Sequence, residues 1–439
     1  MSIYGRRFSI MPNLFLLQKP KPEGPDMSVV YDFNNKDDFN EEEGTLWETY
    51  TKLCYSQTPP IPALSLMRPI LSGDKQDALF PHQQISNHLP VILNLLKRMK
   101  AINNLDLSDN SLRPDCAQPL IDFVQADEQL SSLNIADNPL IGAKAMTELL
   151  DGIKESLSLE TLIISNTGCN KHVSTAIAQV IDGCKGLLKL DISCCDLRQN
   201  AIEIAQMLPN NPKIKLLNLS RNSLYVGGRR FATQLGTNVG KCESLKKLDL
   251  SYNALTSEQV TVLMKGLANA PHLSSLNLSK NCIDETGGKP IAIFLGKTTS
   301  LKFLDISQNQ LLNVTVNKIR GQQKLEEDQK KPGGKDKKKS SVYTPGVYWI
   351  VNYLMKNGGL PQKPIKIRMI GLVVDKVEWD QKLEALKETN SNIEIIYQAP
   401  CNLSFHFTRP NTAIPPVPPA LSASRNSARS PATARRQKK

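Results

Sequence analysis

The chain has 439 residues, 40% of them hydrophobic, enough for several domains or for one long repeat array, and its 5% aromatic content is low for a sandwich or barrel. The formal net charge is +12, but residues 318–339 contribute +5 and residues 408–439 contribute +7, which leaves the rest of the chain close to neutral. This distribution excludes a dedicated basic nucleic-acid-binding domain and points to a near-neutral body with two basic appendages.

Residues 1–43 read as an extended arm that turns acidic over 32–43, where DFNNKDDFNEEE holds Phe33 and Phe39. Arg6 and Arg7 precede a short apolar run, which ends at Gln18 and Lys19 without a small-residue cleavage site, so it does not read as a signal peptide. The same start contains RRFS, a basophilic kinase pattern at Ser9. Residues 44–100 read as an N-terminal cap. TLWETYTKLCYSQ (45–57) and SNHLPVILNLLKRMK (86–100) have helical character, and IPALSLMRPIL (61–71) reads as an irregular strand.

From residue 102 one phrase returns eight times: INNLDLSDNSL, LSSLNIADNPL, LETLIISNTGC, LLKLDISCCDL, IKLLNLSRNSL, LKKLDLSYNAL, LSSLNLSKNCI and LKFLDISQNQL. Its anchors Leu105, Leu133, Leu162, Leu190, Leu217, Leu248, Leu276 and Leu304 are spaced by 27 to 31 residues. The LxL alternation places two leucines on one side of a short strand. Helical stretches lie between phrases; in one of them Val260, Leu263, Met264 and Leu267 form a single apolar face. Asn110, Asn138, Asn222, Asn253, Asn281 and Asn309 stand where strand pairing ends, placed to bond the turn backbone, with Thr167 and Cys195 in their stead in repeats three and four. Cys195 thereby takes a structural reading.

The phrase resembles the leucine-rich repeat, LxxLxLxxN/CxL, and its spacing resembles the ribonuclease-inhibitor type. The resemblance implies an α/β fold: a right-handed solenoid, or horseshoe, with a concave parallel sheet, convex helices and disordered termini. One strand–helix unit cannot bury its own face, so stacking of neighbours must supply the core.

After the eighth strand a Lys-rich insertion, 313–343, interrupts the repeat before its helix. TPGVYWIVNYLMKNGG then supplies the missing helix, PIKIRMIGLVV (364–374) the next strand, DKVEWDQKLEALKETNSN a further helix and IEIIYQ (393–398) a final strand. The solenoid with its C-terminal cap therefore spans 101–398. Residues 399–439 form a Pro/Ser/Arg-rich tail that cannot pack a core, read as disordered, with a proline-directed kinase pattern at Ser430.

No catalytic, cofactor or metal motif emerges. GTNVGK (236–241) falls short of a phosphate-binding loop, the five histidines are dispersed, and none of the nine cysteines has zinc-ligand spacing. Scattered cysteines of odd number suit a reducing, cytoplasmic setting. No apolar run reaches the roughly 18 residues of a spanning helix.

The residue before the ladder position varies: Asp109, Asp137, Asn166, Cys194, Arg221, Tyr252, Lys280, Gln308. It runs from acidic to basic with an aromatic. Arg221, Tyr252 and Lys280, helped by Lys246 and Lys247, are therefore the expected partner-binding residues, for proteins with acidic surfaces. The resulting expectation is a non-enzymatic interaction scaffold. Its organisation is similar to ciliary and flagellar leucine-rich-repeat scaffolds, a resemblance that implies a cytoskeletal or axonemal setting with tubulin or axonemal proteins as partners. A regulator of a small GTPase, or an enzyme inhibitor acting through the repeat surface, is the alternative, because similar arrays occur in Ran GTPase-activating proteins.

Overall fold

The computed structural model describes residues 45–73, 75–99, 102–313, 346–356 and 364–398. Ser9, Ser430, the arm 1–43, the tail and all of the Lys-rich run beyond Asn313 lie outside these residues. The polypeptide alternates strand and helix. Eleven strands form one open parallel sheet in sequence order. They are β1 (Asp77–Leu79), β2 (Asn104–Asp106), β3 (Ser132–Asn134), β4 (Thr161–Ile163), β5 (Lys189–Asp191), β6 (Leu216–Asn218), β7 (Lys247–Asp249), β8 (Ser275–Asn277), β9 (Phe303–Asp305), β10 (Ile365–Arg368) and β11 (Ile393–Ile396). This is an α/β leucine-rich-repeat solenoid.

Register follows the leucines. Leu105 pairs with Leu133, Leu133 with Leu162, and so on through Leu276 with Leu304, after which Leu304 pairs with Ile367 and Ile367 with Ile395. These side chains are buried under the helices, Ile395 of the last strand only partly, while the residues on either side of each anchor face the other, uncovered side of the sheet. A strand of three residues specifies register weakly by itself. Burying one leucine per rung fixes it, because a slip of one residue would exchange the buried and open faces.

The asparagine ladder joins the repeats where the strands end. Asn138 accepts at Oδ1 from the N–H groups of Asn110 (2.9 Å) and Leu112 (3.0 Å), and its Nδ2 donates to the carbonyls of Leu107, Ile135 and Ala136. Asn253 does the same between repeats five and six, and both side chains are fully buried. One amide thus satisfies turn groups of two repeats that burial has removed from water. Cys195 holds the position structurally: its N–H donates to Asn222 Oδ1 at 2.9 Å, and its Sγ lies 3.5 Å from the carbonyls of Ile164 and Ser193. Its thiol is pushed well above the usual range by a hydrogen bond shared with Cys169 and by burial.

The open face is also knitted together. Asn134, Asn218 and Asn277 donate to Asp106, Asp191 and Asp249 at 2.8–3.0 Å, and each of these six side chains accepts the N–H two residues further on. The alternation of Asp and Asn is therefore a rung-to-rung bond that also ends each strand.

Helices α4 (Ala117–Ala126), α5 (Gly142–Ile153), α6 (Ser174–Gly183), α7 (Ala201–Met207), α8 (Gly228–Lys241), α9 (Ser257–Leu267), α10 (Gly288–Lys297), α11 (Gly346–Lys356) and α12 (Lys376–Thr389) fill the covered side. Thr256 opens α9 with a capping box to Gln259. Its neighbour α8 approaches so closely that a methyl on Gly266 would fall 2.3 Å from the carbonyl carbon of Gly236. Beyond the Lys-rich run the stacking resumes: Lys366 pairs with Phe303 in register, and the N–H of Ile370 donates to Ser307 Oγ at 2.9 Å across 63 residues of sequence.

Before β2, α1 (Leu46–Tyr55) and α3 (Leu89–Leu96) are helices at the expected places. Residues 61–71 are not a strand. Ser65–Met67 form a 3-10 turn and Arg68–Leu71 a short helix, α2, with Pro69 in its first turn, where a missing N–H costs nothing. The first strand comes later, at Asp77–Leu79.

Candidate docking surface

The variable residue before each ladder position adopts one backbone conformation throughout. Asp109, Asp137, Asn166, Cys194, Arg221, Tyr252, Lys280 and Gln308 have φ between 52° and 59°. Each donates its N–H across to the next repeat, as Arg221 does to Ser251 O (3.1 Å), Tyr252 to Ser279 O (3.1 Å) and Lys280 to Ser307 O (2.8 Å). The last backbone rung is thus made in a left-handed turn, which costs about 1–2 kcal/mol for a residue with a Cβ. These eight side chains form one column along the edge where the strands end.

Within that column Arg221, Tyr252 and Lys280 touch. The Arg221 guanidinium carbon lies 4.1 Å from the centre of the Tyr252 ring, and Lys280 Nζ lies 4.3 Å from the same centre. Lys280 also donates a hydrogen bond to Tyr252 Oη. A ring quadrupole attracts the Arg221 cation to its face, while Lys280 sits at the hydroxyl end, so the tyrosine holds two like charges from the preceding and following repeats. Tyr252 is 39% exposed, and Tyr225 and Val226 are exposed in the turn after the Asn222 ladder position.

The two ends of the column differ. Asp109 is paired with His82 at 2.5 Å, and Asp137 accepts from Asn166 at 2.9 Å. Arg221 and Lys280 have no acidic partner among the described residues. The acidic end is internally answered, and the basic end is not.

Lys246 and Lys247 are elsewhere. They stand at the start of β7, where both N–H groups donate to Lys215 O at 2.8 and 2.9 Å. β7 and the start of the turn after it separate Lys247 from Tyr252, at most roughly 16 Å at about 3.3 Å per extended residue. The residues expected to bind together thus divide between two edges of the sheet.

The family model described as "Leucine Rich repeat" matches residues 241–260 and 269–292, which hold β7, β8, the start of α9 and the ladder residues Asn253 and Asn281. The chain is a leucine-rich-repeat protein. This leucine-rich-repeat protein is similar to mouse "NACHT, LRR and PYD domains-containing protein 5", at 26% identity over 44% of its own length and 19% of that protein. It is also similar to mouse "Tonsoku-like protein", at 27% identity over 50% of this chain and 17% of the relative, and to "Protein CARMIL" of Dictyostelium discoideum, at 25% over 45% and 19%. The matched region is under a fifth of each relative's length.

Among the described residues of this leucine-rich-repeat protein, no helix is long and apolar enough to cross a membrane. No group of three or more His, Cys, Asp or Glu there is placed to hold a metal ion. The sequence singled out the three stacked residues but not their left-handed turn. One signal for it was present: the column contains no Val, Ile, Thr or Pro, the residues that tolerate a positive φ least.

Proposed function

We propose that the chain is a non-enzymatic protein-binding adaptor, and that Arg221, Tyr252 and Lys280 are the anchor for an acidic segment of its partner. One observation carries this reading: two cations without an acidic counterpart, among the described residues, are held against an exposed tyrosine, one on its face and one at its hydroxyl. Arginine and tyrosine concentrate binding energy because they give up little rotamer freedom when already packed against each other. The guanidinium keeps its N–H fork for a carboxylate while its face rests on the ring.

Replacing Arg221→Glu and Lys280→Glu together in the full chain is expected to lower capture of acidic partners by at least about tenfold, since like charges then face each other. Quantitative affinity capture reads this, and unchanged recovery of every partner removes the anchor from the account. The finer reading is a cytoskeletal one, association with the acidic tails of tubulin. The basic segments 318–339 and 408–439 support it by charge alone. Cosedimentation with microtubules, comparing the full chain with versions lacking 318–341 or 408–439, tests it; equal pelleting by all three would take those segments out of the binding.

A further inference from the structure

The edge where the strands begin carries a second cationic surface. A solvent-open cavity of about 470 Å³ lies where β6 and β7 start, bordered by Lys213, Lys215, Lys246 and His272. Leu188 and Pro212 stand in its wall, and Glu243 is its single acidic residue. Leu188 is half-buried, and the three lysines are exposed. None of these lysines has an ion-pair partner among the described residues.

The backbone fixes this arrangement. Lys215 O accepts from Lys246 and Lys247, and Leu188 O accepts from Lys215 and Leu216. The lysines therefore emerge from adjacent rungs, with about 4.8 Å between strands. Clustered like charges without counterions raise the local potential and draw in an anion. A plain anion would be served by the ammonium groups alone. Here the wall between them is mostly carbon, from Leu188, Pro212 and the lysine stems, and lysine stems line apolar contacts while their heads stay in water. No arginine offers a planar fork, so the rim suits several carboxylates spread around a centre rather than one held bidentately.

We infer that this cavity is a second docking site, which seats one aromatic or aliphatic side chain of an acidic partner segment between Lys213, Lys215 and Lys246. The inference rests on the chain being a protein-binding array, but not on the Arg221–Tyr252–Lys280 anchor, from which it is separated by the length of a strand.

The test uses full-length protein and a fluorescent synthetic peptide rich in Asp and Glu with one central phenylalanine. A control peptide has serine in place of the phenylalanine. The phenylalanine peptide is expected to bind about tenfold more tightly than the control. Lys215→Gln with Lys246→Gln should weaken it by about tenfold, Lys215→Arg with Lys246→Arg should retain most of it, and Lys144→Gln, an exposed lysine of α5 outside both surfaces, should change it by less than about twofold. All these positions are exposed, so unchanged melting confirms the fold of each variant. Equal affinity for both peptides, absence of binding, or full affinity in the glutamine variant overturns the inference. A loss in Lys144→Gln as large as in the glutamine variant overturns it too, because the binding would then follow net charge and not this cavity. If affinity capture is unaffected by the Arg221 and Lys280 reversals while the peptide behaves as stated, the anchor fails and this site stands.

Discussion

Asn253→Ala is expected to destabilise the protein by about 3 kcal/mol, since it leaves the buried N–H groups of Asn222 and Leu224 without their acceptor, at about 1–3 kcal/mol each. Asn253 Oδ1 accepts from Asn222 N at 2.8 Å and Leu224 N at 3.4 Å, and its Nδ2 donates to the carbonyls of Leu219, Leu250 and Ser251 at 2.9–3.2 Å. No water reaches the side chain, which is 0% exposed. The effect should exceed that of deleting a comparable exposed asparagine, because the loss falls on two repeats at once and repeat stability is a sum of units and interfaces. Urea unfolding of the variant measures it. A loss under about 1 kcal/mol would mean that the turn groups find other partners, and that the ladder is not what couples the repeats.

Trp379→Ala should cost about 3–5 kcal/mol, and the damage should stay near the end of the array. Trp379, in α12, is fully buried. Its ring lies 6.1 Å from Tyr348 of α11, near parallel at 19°, and 6.0 Å from Tyr397, edge-on at 80°. This cluster closes the core beyond the Lys-rich run. A terminal repeat contacts one neighbour only, so its opening need not unfold the centre. Amide exchange is the suitable readout: protection should fall over α11, β10, α12 and β11 and hold over β3 to β8. Uniform loss across the sheet would instead show that the described repeats unfold as one unit.

Which parts of this structure could be read from the sequence has a physical pattern. The leucines and ladder asparagines were legible because each plays the same part in every rung, and near-constant spacing exposes a shared part. Leu304 to Ile367 was legible despite the interruption, since PIKIRMI repeats the alternation on the far side of the lysine run. Residues 61–71 were misread because a short apolar run fits a strand or a buried helical turn equally well, and only contacts with Tyr50 and its neighbours decide. Tyr50 Oη accepts from Leu64 N at 3.2 Å, a bond that no periodicity announces.

Of the proposed docking surface, the residue types were legible and the layout was not. Arg221, Tyr252 and Lys280 stand out because they vary against a fixed frame. That they touch depends on the left-handed turn, which turns three residues about thirty apart in sequence into one stack. Lys246 and Lys247 are close to Tyr252 in the sequence and remote from it in space, because the strand between them is extended. Proximity along a strand means distance; correspondence between repeats means contact.

The central claim is that a partner sits on the strand-end edge at its basic end. A photocrosslinking amino acid placed in the full chain at Gln308, exposed and next to Lys280 in the column, and separately at Asp109 at the acidic end, addresses it directly. With a captured acidic partner present, position 308 should form the covalent adduct and position 109 should not, and adding Arg221→Glu should abolish it. Adducts at Asp109 alone, or equally at both positions, would contradict the account.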